Sequence, residues 1–226
     1  MQRATPEPDT AQKILDIAAR LVQTRGFNGF SYADIAAELA VTKASLHYHF
    51  PTKADLGTKL IELYERNFVA ALEGIERDAV GEFDQLRRYS NIYDRVLSTH
   101  QMCLCGMLAA EHGTLPDAMR RELRHYFDVN EGWLAAVLER GRAARQLRFD
   151  GAPRDVARML LGALEGAMML ARSVGDVGHF RVSADRLLAD LRAPGAARTR
   201  PVAVGATTAS PAPARRSRVT ESKRAA

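Results

Sequence analysis

Apolar residues recur at helical spacing along almost the whole 226-residue chain, and nowhere do β-branched residues alternate with polar ones over the length of a strand. That periodicity predicts an all-α fold. Ile14, Ala18, Leu21 and Val22 form a first apolar stripe, which Gly26 ends. Ser31 stands three residues before Asp34, a capping-box variant with Asp in the usual Glu place, and opens a short helix running to about Leu39. Thr42 can cap another that ends near Phe50, where Pro51 stops it. A long helix is predicted from Lys53 to Asp78, with Leu56, Leu60, Leu63, Tyr64 and Phe68 on one side. Further helices are predicted over 83–99, 104–112, from Thr114-Leu-Pro-Asp117 to about Gly141, over Pro153–Val174, and over Ser183–Leu191.

Three helices in the first ~50 residues, the last two parted by Leu39–Thr42, is helix-turn-helix spacing. In the third, Val41, Leu46 and Phe50 are apolar and can pack on the first helix. Lys43, Ala44, Ser45, His47 and Tyr48 are left facing outward with no acid among them. A cation in the first turn of a helix opposes the macrodipole by roughly 0.3–1 kcal/mol. Lys43 is therefore either a solvated lysine whose cost is screened, or a cation placed to meet phosphates or base edges. His47 and His49 lie two apart on a helix and point to opposite sides. They cannot form a metal pair, and are surface histidines or nucleic-acid contacts.

The stretch GFNGFSYADIAAELAVTKASLHYHFPTKADL resembles the DNA-binding signature of TetR-family repressors, without a gap over about residues 10–60. The resemblance rests on Gly26-Phe27, Ser31, Asp34-Ile35-Ala36, Val41, Lys43, the Tyr/His run before Phe50, and Lys53. It implies that Lys43, Ala44, Ser45 and His47 face base edges in the major groove. It implies that Ser31, Tyr32, Thr42, Tyr48, His49 and Lys53 contact phosphates. Three positions depart from the family pattern. Ala40 replaces the usual Gly in a turn that favours a left-handed residue, which implies some strain or a slightly different turn. Ala44 and His47 replace a common Gly and Tyr, which leaves the operator sequence open.

The net charge of +5 and pI near 9.5 do not carry the DNA reading. Between Pro194 and Ala226, seven basic residues and Glu221 give a tail of +6, so of the total +5 the preceding 193 residues carry −1. That tail, rich in Ala, Pro, Thr, Ser and Arg, has too little apolar material to order. It is either a salt-sensitive, sequence-independent DNA attractor or a plain solubilising extension. MQRATPEPDTAQ has no apolar signal core and no run approaches ~20 apolar residues, so a cytoplasmic protein is expected. Two cysteines, Cys103 and Cys105, fit a reducing compartment.

The segment around those cysteines admits three readings. They can be small buried hydrophobes beside Met102, Met107 and Leu108. They can be redox or electrophile sensors, since the segment is similar to that of family members of the N-ethylmaleimide-reductase repressor type. A helix N-terminus near Cys103 would then lower its pKa. They can join His100 and His112 as metal ligands, although Cys103 and Cys105 lie ~200° apart on a helix. No cofactor motif and no metal site is expected.

Leu63, Tyr64, Tyr89, Tyr93, Met102, Cys103, Met107, Tyr126, Trp133 and Met168 are candidate pocket-lining residues, for a small-molecule effector that the sequence does not identify. They can equally be plain core. The helix with Ala157, Leu161, Leu164, Ala167 and Leu170, joined by Leu187, Leu188 and Leu191 of the last helix, is the candidate dimer interface. The alternative is a central helix within one subunit. The reading is an N-terminal three-helix helix-turn-helix DNA-binding domain over 1–52 and a larger helical effector-binding and dimerisation domain over 53–193, about nine helices in all, followed by a tail over 194–226. As a homodimer it would bind a palindromic double-stranded DNA operator and be released by its effector. The rival is a helical enzyme using Cys103 with His100 or His112. No orienting residue supports it, so no catalytic residue is expected.

Overall fold

A computed structural model describes residues 10–194. The tail expected from 195 onward lies outside the described residues. Within them the chain forms nine α-helices and a single turn of 3₁₀-helix, with no strand. The helices are α1 (Thr10–Arg25), α2 (Tyr32–Leu39), α3 (Lys43–His49), α4 (Lys53–Asp78), α5 (Glu82–Ser98), α6 (Leu104–Ala110), α7 (Asp117–Ala143), α8 (Pro153–Val174) and α9 (Val177–Leu191).

The boundaries follow from local chemistry. Ser31 caps α2 in a full capping box: its backbone N–H donates to Asp34 Oδ2 at 2.7 Å, and its Oγ accepts from the Ala33 N–H at 3.2 Å. Thr52 and Asp55 build a second box at the start of α4. Thr42 caps α3 by accepting from the Ser45 N–H at 3.3 Å. The turn between α2 and α3 places Ala40 at φ 54°, ψ 40°. That left-handed conformation is comfortable for glycine and strained for alanine. α9 begins six residues earlier than its apolar pattern indicates, because Asp176 caps it by accepting from the Gly178 N–H at 2.8 Å.

The core runs unbroken from Ile14 to Leu191 and crosses the boundary between residues 52 and 53. In its centre α7 packs on α4, α5 and α8, and α8 packs on α9. Gly57 on α4 lets Phe27 and Met119 close over the joint, since a Cβ there would meet Met119 Sδ at 2.5 Å and the Phe27 ring at 2.9 Å. No helix among the described residues is long and apolar enough to cross a membrane.

Candidate DNA-reading helix and sensor cavity

Leu46 is fully buried on the inner side of α3, which packs on α2, while Lys43, Ala44, His47 and Tyr48 face solvent. Tyr48 is 85% exposed, an apolar ring with no intramolecular reason to be there. Beside α3 lies an open cleft of about 420 Å³ lined by Phe30, Ser31, Tyr32, Ala33, Lys43, His47 and Lys53. Three of these side chains are basic or can become so, and none is acidic.

Several residues expected at phosphates are engaged inward instead. The Tyr32 ring is buried and its hydroxyl lies 2.8 Å from the Phe50 carbonyl and 2.7 Å from that of Thr52, so its one proton is spent on the chain leading to α4. Burial pushes that phenol up to about 12, with Asp55 adding to the effect. The expectation of a phosphate contact is corrected: Tyr32 positions α3. Ser31 Oγ donates to Asp34 at 2.8 Å. Lys53 donates to the carbonyls of Phe27 and Phe30, and its ammonium sits 4.5 Å and 4.2 Å from their ring centroids. Two of its three donors are used, which leaves one for the cleft. Burial lowers its pKa, against the pull of Glu111 and Asp34. His47 Nδ1 lies 3.0 Å from the Pro51 carbonyl, and its ring rests on Tyr32 at 4.8 Å. Thr42 and His49 sit at the two ends of α3, His49 against the Tyr48 ring.

Helices α1–α3 are tied to the rest by contacts that sequence reasoning missed. Glu111, at the end of α6, accepts from the backbone N–H of Phe27 at 2.6 Å and of Asn28 at 3.3 Å. Arg172 of α8 donates to the carbonyls of Gln23 and Thr24 at 3.2 and 2.7 Å, completing the exposed end of α1. Gln23 and Met102 exchange two hydrogen bonds of 3.0 Å, one through the Gln23 amide and one through the Met102 N–H. Both ends of α6 thus hold α1 and the Phe27–Asn28 loop.

The candidate pocket residues divide. Tyr89, Tyr93, Tyr126 and Met168 are buried, and Trp133 stacks on Tyr89 at 5.6 Å. The Tyr89 hydroxyl donates to Asn130 Oδ1 at 2.8 Å. Tyr64 meets Tyr126 ring to ring at 5.8 Å, and Leu63 packs partly buried against the core. These residues are a packed aromatic centre, a correction to their reading as a lining, because neighbouring rings fill the space a ligand would need. A cavity of about 470 Å³ opens instead between α6, α7 and α8, where Met102 and Met107 of the expected set join Gly106, Phe127, Leu161 and Glu165.

Cys103 caps α6, its Sγ accepting from the Gly106 N–H at 3.4 Å and taking a hydrogen bond from Tyr64 at 3.8 Å. The expected fall in its pKa is overturned. Burial pushes both thiols well above their ordinary value, helped for Cys103 by the neighbouring Glu165 carboxylate and for Cys105 by Cys103. Among the described residues no three His, Cys, Asp or Glu side chains form a metal-holding group, and His100 and His112 are exposed while both cysteines are buried.

α8 corrects the interface expectation. Ala157, Leu161, Leu164 and Ala167 are buried in their own subunit, as are Leu188 and Leu191 of α9, and Leu187 is half-buried. The face left open is nearly opposite. It carries Met159, Met169, Leu170 and Val174, each 58–59% exposed, with Val182 of α9 at 72%. Gly162 and Gly166 between them have open space where a Cβ would stand. Of the expected interface only Leu170 lies on it.

Two family models match the chain: "Bacterial regulatory proteins, tetR family" over residues 14–57, and "Tetracyclin repressor-like, C-terminal domain" over 83–187. A TetR-family transcriptional regulator from Agrobacterium tumefaciens is similar at 36% identity and a TM-score of 0.79, over 81% of this chain and 97% of that one. The transcriptional regulator AcuR of Cereibacter sphaeroides is 26% identical over 75% of this chain and 80% of its own length. The reduced form of NemR from E. coli shares the fold, at 22% identity and a TM-score of 0.69 over 83% of this chain and 100% of that one.

Proposed function

The chain belongs to the TetR family of DNA-binding transcriptional regulators, and from that premise we propose that it is a dimeric repressor whose α3 reads operator DNA and whose α6–α8 cavity holds the effector that releases it. Proteins of this family bind DNA as dimers and respond to small molecules. The observation that carries the particular reading is α6 itself. One side of it walls the cavity through Met102, Gly106 and Met107, and its two ends hold α1 and the Phe27–Asn28 loop through Gln23 and Glu111.

Lys43, Ala44, Ser45 and His47 are placed to meet base edges, with Thr42, Tyr48, His49 and the remaining donor of Lys53 beside them at the backbone. A two-fold pair would put two such helices on a palindromic site. The open face of α8 and α9 is the proposed dimer surface, since Gly162 and Gly166 permit close helix approach between apolar flanks. A ligand that displaces α6 would shift α1 and α3 away from the spacing the operator requires. The neutral, buried thiols favour a non-covalent effector over an electrophile. The residue division at 52/53 is part of this proposal, as Thr52 caps the linking helix α4.

Fluorescence anisotropy with the DNA upstream of the protein's own coding region tests the reading. Sequence-specific binding at moderate salt is expected, weakened by about 1–3 kcal/mol in Lys43→Ala. Binding no tighter than to random DNA of equal length would overturn it.

A further inference from the structure

The cavity beneath α6 contains one feature that a plain apolar pocket would not. Glu165 of α8 lines it, and its Oε1 is shut away from water with no hydrogen-bond partner. Its carboxylate takes a hydrogen bond from Cys103, but no cation is paired with it among the described residues. A carboxylate held this way is costly unless something else completes it. The chain has made room for it: a Cβ on Gly106 would collide with Oε2, so glycine at 106 accommodates the group from α6. Burial pushes the Glu165 carboxyl up to about 7.

The remaining lining sets the sign and shape of what fits. Met102, Met107, Met169, Leu161 and Phe127 supply thioethers, an isobutyl group and one ring. Charge enters only through Glu165, Glu131 and Arg158. Arg158 is already committed, to Glu131 at 3.1 Å and to Asp155 at 3.3 Å. Above about pH 7 the site therefore has one negative group with no cation against it, one vacant acceptor, and a polarisable wall. An anion would face Glu165 with no counter-charge. A neutral hydroxyl would fill the vacancy but leave the charge unbalanced. A protonated amine would do both, and its body would lie against the thioethers and the Phe127 ring.

We propose that the effector is an organic ammonium ion on a compact apolar body, with Glu165 as its counter-charge and hydrogen-bond acceptor. This rests on the reading of the cavity as the effector site. A volume of about 470 Å³ suits a molecule of one to three rings or a comparable chain.

The test uses the full-length protein free of DNA and three matched probes: 2-(1-naphthyl)ethylammonium, 2-(1-naphthyl)ethanol and 1-naphthaleneacetate. Naphthalene emission reports binding directly. The ammonium is expected to bind at least tenfold more tightly than the alcohol, with the carboxylate weakest. In Glu165→Gln, which keeps shape and an acceptor, the ammonium-to-alcohol ratio is expected to fall to about one while the alcohol changes by less than about threefold. An ammonium no tighter than the alcohol, no binding by any of the three, or a preference that survives Glu165→Gln overturns the proposal. Displacement of upstream DNA by the ammonium is scored separately. If the Glu165-dependent preference is found but DNA stays bound, the ligand class stands and the release mechanism fails.

Discussion

Replacing Glu165 by glutamine removes a carboxyl that the native fold holds in its protonated form more readily than the unfolded chain does. The group moves from its ordinary 4.5 to about 7 on folding, chiefly by burial. At ~1.4 kcal/mol per pH unit, that difference amounts to about 3 kcal/mol. The sign follows from proton counting. Between these two values the native state keeps a proton that the unfolded chain has released. Wild-type stability therefore falls as pH rises through this window, and the whole loss is in place above about pH 7. Glutamine carries no such dependence. The groups facing Glu165 do not blur the comparison: the Cys103 thiol and the hydroxyls of Tyr64, Tyr89 and Tyr93 are pushed up and stay neutral across the range, and Glu131 keeps its arginines in both proteins. Urea unfolding at fixed protomer concentration, at pH 5 and pH 8, is the assay. The stability gained by Glu165→Gln is expected to be about 2 kcal/mol larger at pH 8 than at pH 5. An equal gain at both values would refute the reasoning, because the carboxyl would then not be perturbed by its surroundings.

Four other outcomes are expected. Ala40→Gly relieves a left-handed alanine and raises stability by about 1 kcal/mol in the same urea assay, with DNA affinity unchanged. Glu111→Gln weakens the grip on the Phe27 and Asn28 N–H groups and costs about 1–2 kcal/mol, and titration of the naphthyl probes should show ligand affinity intact while their effect on DNA binding is reduced. Lys43→Ala costs about 1–3 kcal/mol of affinity for the upstream DNA by anisotropy, with a thermal midpoint equal to or slightly above that of the wild type. Leu170→Glu, on the open face of α8, turns the dimer into folded monomers in analytical ultracentrifugation, whereas Leu164→Glu, buried in the same helix, unfolds the chain.

The elements that sequence made readable are those governed by neighbours in the chain. Ser31 with Asp34, Thr42 with Ser45, Gly26 and Pro51 act within one turn, so the helix-turn-helix could be drawn from them, while the choice at Ala40 between strain and a different turn needed the backbone itself. What stayed hidden depends on distant partners. α8 is apolar on two faces, and only the packing of α5, α7 and α9 decides that Leu164 turns inward while Met159 and Met169 remain outside. The aromatic residues chosen as a lining were the ones large enough to fill the core themselves. Tyr32 and Lys53 have the right chemistry for phosphates, but nearby carbonyls claim their donors. Glu165 did leave a trace: it is the one charged residue between Arg158 and Arg172, in the apolar middle of α8. Glu111 and Arg172 left none, because their partners are backbone groups 83 to 149 positions away.

Those two side chains have an evolutionary consequence. On the DNA-reading side the joint is made of the amides of Phe27 and Asn28 and the carbonyls of Gln23 and Thr24, groups that every residue except proline presents alike. A lineage can therefore rewrite α3 for a new operator without renegotiating the connection, and an engineer can graft a foreign reading head so long as that head keeps a glutamine at 23 and the recipient keeps an acid at 111 and an arginine at 172. At Glu111 and Arg172 the coupling is blind to identity on one side and specific on the other, and only the side-chain amides of Gln23 and Asn28 tie the joint to particular residues of the reading head.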